Sequence, residues 1–142
     1  MIKLLYQASN AGVIVQLIIR GICSLVTDRK NFSENIEAIG IVDRFLEHAR
    51  VFVFHNNGKE LMYLSSADWM VRNLNHRIET AFPIYNQELK DEINEALDLQ
   101  WNDNVKARLL DGQLKNEYIK GEEDIVLRSQ HEVYFNLKRR GK

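Results

Sequence analysis

The apolar positions of this chain fall into helically spaced stretches and short runs of strand length. Leu4, Leu5 and Ala8 share one helical face, which predicts a helix from Ile2 to Ala11 with Gly12 as its left-handed stop. No capping residue precedes it, so the chain is expected to start inside an element of a longer protein. Val13 to Ile19 is β-branched and nearly all apolar, the pattern of a central parallel strand covered on both faces. It ends in Arg20-Gly21. An arginine at the carboxyl end of a buried strand, followed by a glycine that lets the backbone turn, stands where open α/β sheets bind ligands. Residues 22–35 read as irregular and polar, with Thr27 to Asn31 as loop. Ile36 to Ile41 is a second strand, and Val42 to Ala49 a short helix carrying Arg44, Phe45 and Leu46.

From Phe45 to Arg77 the pattern changes to that of a hairpin. Val51–Phe54 and Leu61–Leu64 are the two strand-like runs, and Asn56-Asn57-Gly58 supplies residues that tolerate positive φ in a tight turn. Residues two apart on a strand share a face, so His48 and Arg50 can point at one ligand. The hairpin returns Ser65, Ser66 and Asp68 to the same end, with Trp69, Arg72 and Asn73 following. A base, cations and hydroxyls at one sheet end suit a phosphate. Beyond this, Arg77 to Phe82 alternates and is closed by Pro83, as expected at a strand exit. Asn86 is an N-cap with Glu88 in the first turn, and Leu89, Ile93, Ala96, Leu97 and Trp101 repeat at helical spacing to about Gln100. Asp111-Gly112 reads as a turn and Gly121 as a break. Ser129 can cap a last helix to about Arg140, with Val133 and Leu137 inward. Strands alternating with helices predict an α/β domain.

Composition narrows this reading. With 142 residues and 45% hydrophobic content, the chain supports one core and hardly two. A net charge of -1 offers no bulk attraction to nucleic acid. The basic end, Lys138-Arg139-Arg140-Gly141-Lys142, is read as a solvated helix terminus. The single cysteine, Cys23, excludes an internal disulfide and a cysteine-rich metal site, and is read as packed rather than reactive. Val13 to Ile19 is too short for a membrane span and contains Gln16, so a soluble cytoplasmic protein is expected. His55 and His76 are expected to be exposed, and His131 has no second ligand at the helical spacing a metal would need. Asp68 is assigned a structural role, holding Arg72 or capping the segment after Ser66. Trp69 can pack or stack on an adenine, packing being favoured. Glu122-Glu123-Asp124 reads as a solvated loop.

Two resemblances sharpen the chemistry. His48-Ala49-Arg50, a turn, and then Ser65-Ser66 at a strand end resemble a phospholipase-D-like half-site, whose pattern is His-x-Lys, a turn, and a small-residue strand end with Ser and Asn. Arg50 stands where that pattern has lysine, and His55 where it has aspartate, which argues against a diesterase of the usual kind. A more specific resemblance covers nearly the whole chain. Gly12-Val13 through Leu17-Ile18-Ile19-Arg20-Gly21-Ile22-Cys23 and Ser33-Glu34-Asn35-Ile36 resemble the C-terminal domain of bacterial polyphosphate kinase of the long-chain family. So do Ile41-Val42-Asp43-Arg44-Phe45-Leu46-Glu47-His48 and Leu64-Ser65-Ser66-Ala67-Asp68-Trp69-Met70. Asn104-Val105-Lys106-Ala107-Arg108, and Arg77-Ile78-Glu79 before Pro83, are similar to that family too. The match weakens after about Gly112.

The resemblance implies a phospholipase-D-like α/β fold, a mixed sheet flanked by helices in a single domain. Residues 1–110 would form its core and 111–142 a C-terminal extension, the preceding domains lying outside this chain. It implies reversible transfer of the terminal phosphoryl of ATP to inorganic polyphosphate, through a phosphohistidine of the preceding domain and with Mg2+ whose ligands also lie there. Two residues carry over as nucleotide-contacting and activity-supporting: Arg20 of the Arg-Gly-Ile-Cys run and His48 of Phe-Leu-Glu-His. An arginine fork can clamp phosphate oxygens, and an imidazole titrating near neutrality can give a proton to the leaving oxygen and take it back. Arg50 is a phosphate ligand of second rank or a salt-bridge partner only. The implied partners are ATP or ADP, polyphosphate, the preceding domains, and further copies when full-length; the implied compartment is the cytoplasm, compatible with membrane association of the full-length enzyme. The rivals are a diesterase half completed by dimerisation and a non-catalytic phosphate-binding or assembly module.

Overall fold

The structure, a computed structural model, describes residues 1–113, 115–121 and 125–141. The acidic run at 122–124 and the final lysine, read above as loop and basic terminus, lie outside the described residues. The chain forms two compact units, Met1–Leu46 with Ala96–Lys142, and Glu47–Glu95. Each unit has a three-stranded sheet, where one mixed sheet was expected, and the α/β character holds.

In the first unit, helix α1 (Ile2–Asn10) ends as its sequence predicts. Gly12 has φ +86, its N–H reaches Ser9 O at 2.9 Å, and Val13 N–H reaches Ala8 O at 3.0 Å. These bonds satisfy carbonyls that a helix end otherwise leaves open. Strand β1 (Val15–Ile18) pairs in parallel with β2 (Ile36–Ile41), which pairs antiparallel with β6 (Ala107–Leu109). The order β1-β2-β6 puts β2 in the middle and β1 at the edge, correcting the expectation of a central β1 covered on both faces. The physical reason is pairing: β2 has a ladder on each side and buries Ile36, Ala38, Ile39 and Ile41, whereas β1 has one ladder and leaves Val13 and Ile14 before it exposed. Ile39, Ile41 and Ala107 form the core, with Ile18, Trp101 and Ile119 packed against them.

The predicted helix over Val42 to Ala49 does not form. Gln130 Nε2 donates to Phe45 O at 2.8 Å, and Phe45 N–H donates to Gln130 Oε1 at 3.0 Å. A primary amide thus takes both backbone groups that a helix would have used. Arg128 grips the Asp43 carboxylate nearby at 2.8 and 2.5 Å, holding it below the usual carboxylate range. Gln130→Ala is expected to lower unfolding free energy by about 1–3 kcal/mol, since it removes both part-buried hydrogen bonds to the Phe45 backbone; urea unfolding measures this.

Helix α4 (Ser129–Arg139) is capped differently from the sequence expectation. Ser129 is its first residue rather than its cap, and it is fully buried. The cap is Asp103: its Oδ2 accepts from Ser129 N–H and Oγ, both at 2.7 Å. Its Oδ1 accepts from the N–H groups of Val105, Lys106 and Ala107. Tyr118, beyond the turn at Asp111-Gly112, bridges to Arg108 and takes its guanidinium over the ring at 4.0 Å.

The second unit is an antiparallel meander, β3 (Val51–Phe54), β4 (Leu61–Ser65) and β5 (Ala81–Pro83). The first two strands match their predicted runs because alternation and turn chemistry both mark them. Phe54 pairs with Leu61, so residues 55–60 make a longer connection than the tight turn expected, with Asn56, Asn57 and Gly58 all at positive φ. Phe52 and Trp69 stack with ring centroids 5.1 Å apart, the packing role favoured for Trp69. Helix α2 (Val71–His76) was not predicted. Helix α3 (Gln87–Trp101) was, and Asn86 Oδ1 accepts Leu89 N–H at 3.0 Å as its cap. Among the described residues, no helix is long and apolar enough to cross a membrane.

Candidate phosphate-binding site

The register of the second unit decides what meets at the open end of its first hairpin. Val51 pairs with Leu64, and Ser65 N–H donates to Arg50 O at 2.9 Å, so the residues before β3 lie beside those after β4. This brings His48, Arg50 and Asp68 together. Arg50 Nε donates to Asp68 Oδ1 at 3.0 Å. His48 Nε2 lies 3.1 Å from the same oxygen and 2.9 Å from Arg50 Nη2. The side chains of His48, Arg50 and Asp68 are 44%, 24% and 27% exposed, so an incoming ligand can touch all three. The Arg50 guanidinium, helped by His48 and opposed by burial, holds the Asp68 carboxyl below its usual range.

Asp68 therefore partners Arg50 and His48, not Arg72, which corrects the assignment made from sequence. Arg72 is on α2, the helix the sequence did not predict. The serines at the hairpin end were expected to face a phosphate, but their hydroxyls serve the frame. Ser65 Oγ accepts Ala67 N–H and donates to Thr80 O. Ser66 Oγ accepts Thr80 N–H and donates to Glu79 Oε2. Buried Asn73 donates to the other Glu79 oxygen at 2.8 Å. Ser66 and then Asn73 hold the Glu79 carboxyl below its ordinary value. The sequence alone assigns Glu79 no role; its place thirteen residues after Ser66 is fixed by the β4–β5 pairing.

Arg20 belongs to the first unit, exposed in the bend that follows β1, the strand-end position read from sequence. His55, His76 and His131 are exposed, and Cys23 is half-buried with its Sγ near Leu25 O. Among the described residues, no group of three or more His, Cys, Asp or Glu could hold a metal ion.

Comparison with known proteins adds the decisive observation: the family model described as polyphosphate kinase C-terminal domain 2 matches residues 1–130. The chain belongs to that family. Among members of the polyphosphate kinase family, the Yersinia pestis polyphosphate kinase is 47% identical over 134 residues, 94% of this chain and 20% of that protein. The Vibrio cholerae polyphosphate kinase is 49% identical over 138 residues, 97% of this chain and 20% of that protein. The crystal structure of polyphosphate kinase from Porphyromonas gingivalis superposes with a TM-score of 0.94 at 47% identity, covering 98% of this chain and 21% of that one. The chain thus spans about a fifth of the length of the polyphosphate kinases it matches.

Proposed function

We propose that this chain is the portion of a polyphosphate kinase that contacts nucleotide and phosphate, in an enzyme transferring the ATP terminal phosphoryl reversibly to polyphosphate. The observation that supports this most is the convergence of His48 and Arg50 at an accessible hairpin end, within a chain of this family. The phosphohistidine is carried by the preceding domain, and the present domain is a phospholipase-D-like half that faces it. Residues 1–110 are the core of this half and 111–142 its extension. The full-length enzyme works as an oligomer.

Phosphoryl transfer suits such a division of labour. Its transition state spreads negative charge over the equatorial oxygens, so positioned donors and cations lower the barrier with little covalent work by the protein. His48 is the catalytic residue proposed here, giving a proton to the leaving oxygen in one direction and removing it in the other. Arg50 holds phosphate oxygens beside it. Arg20, at the carboxyl end of its strand, acts on phosphate oxygens through its planar fork. No step is assigned to magnesium through these residues.

The test follows the histidine ring resonances of this chain during titration with ADP and then with tripolyphosphate, His48→Ala identifying the peak. The expected result is a shift of His48 with at least one ligand while His55, His76 and His131 stay still. A spectrum unmoved by either ligand at saturating concentration would remove the assignment of this hairpin end to phosphate.

A further inference from the structure

We infer that Asp68 makes oxyanion binding at the His48–Arg50 pair conditional on protonation of His48. The identity of the natural anion rests on the function proposed above; the conditionality rests on the geometry. Arg50 presents one edge, Nε and Nη2, with the spacing that grips two oxygens of a phosphate or carboxylate. That edge is already filled. Nε donates to Asp68 Oδ1 at 3.0 Å, and Nη2 lies 2.9 Å from His48 Nε2, where it donates whenever that ring nitrogen bears no proton. In this form Arg50 and Asp68 cancel in charge, and the Nε–Nη2 edge is closed to a ligand.

Protonation changes both charge and geometry. A protonated Nε2 cannot accept from Nη2, but it can donate to Asp68 Oδ1, 3.1 Å away. Nη2 is released, Asp68 takes its bond from the imidazolium, and the cluster gains one positive charge. The charged groups hydrogen-bonded to His48, among the described residues, are Arg50 before β3 and Asp68 after β4. Glu79, before β5, feels Arg77 and Arg50 electrostatically. Of these, Asp68 alone touches both cations, so it decides whether the pair is attractive to an anion while the ring is neutral.

The probe is sulfate, which keeps its charge across the range in which an imidazole titrates. In the native chain, sulfate affinity should be level below the His48 midpoint and fall about tenfold per pH unit above it, the limit for linkage to one proton. Saturating sulfate should raise the His48 midpoint by the same linkage. In Asp68→Asn the cluster keeps a positive charge with a neutral ring, so sulfate affinity should fall clearly less between about pH 5.5 and about pH 8.5 than in the native chain. Native affinity that is flat with pH, a His48 midpoint that sulfate leaves in place, or an Asp68→Asn chain with the native slope would each overturn the inference. The midpoint measurement on the native chain decides the matter if Asp68→Asn does not fold. Flat sulfate binding with a His48 response to tripolyphosphate would sink this inference alone. No response to any anion at any pH would sink the proposed function with it.

Discussion

Asp103→Ala should destabilise the first unit by about 3–5 kcal/mol, a large part of the roughly 5–15 kcal/mol that holds a typical domain. The carboxylate is fully buried and accepts five hydrogen bonds, from the N–H groups of Val105, Lys106, Ala107 and Ser129 and from Ser129 Oγ. Ala107 and Ser129 are themselves fully buried, so their donors would be stranded without water, at a cost of about 1–3 kcal/mol for each such group. Burial pushes the Asp103 carboxyl up, but the hydrogen bonds from Lys106, Ser129 and Val105 outweigh it, and the net displacement is downward. The sign of the pH dependence follows. A carboxyl whose folded-state value lies below the unfolded value contributes its full stability above the unfolded value, about pH 3.9, and loses it as pH falls through the lower folded value. Urea unfolding across that window should show native and Asp103→Ala chains converging toward acid. Curves that stay parallel would mean that the Asp103 carboxyl binds its proton equally well in the folded and unfolded chains.

His48→Ala, made in a polyphosphate kinase that carries this segment, should reduce polyphosphate synthesis by roughly 10²- to 10⁴-fold, the range of general acid–base assistance. The loss should fall on kcat more than on KM for ATP, because a proton given to the leaving oxygen matters in the transition state and little in the ground state. Initial rates at varied ATP separate the two. A loss below about threefold would leave His48 without a role in proton transfer.

How far the fold could be read from sequence depended on where each segment finds its partners. Ile36–Ile41, Val51–Phe54 and the Asn86-capped helix satisfy their own patterns, and all three formed within a residue or two of their expected bounds. Val42 to Ala49 failed because its backbone is claimed by Gln130, eighty-five residues after Phe45, and no local pattern announces that. The Ser129 cap was misassigned for the same reason, since the acceptor is Asp103. Helix α2 is only six residues long and lacks a capping side chain, so it left no periodic trace. β6 has three residues and depends on β2 for its existence.

The candidate site divides along the same line. His48 and Arg50, two apart before a strand, were legible together, and so was the return of Asp68 to their end of the hairpin. What Asp68 binds there was not, because spacing shows which residues can meet but not which of several cations a carboxylate will choose. The serine hydroxyls made the converse error available: their types suit an anion, yet pairing against Thr80 and Glu79 consumes them.

The chain's two tryptophans divide between the two units. Trp101 packs against Ile39, Ile41 and Ala107, while Trp69 stacks on Phe52 and directly follows Asp68 in the chain. Each unit therefore has its own intrinsic fluorophore. With either indole replaced by phenylalanine, the remaining emission reports on one unit alone, so cooperative and stepwise melting become distinguishable without any added label.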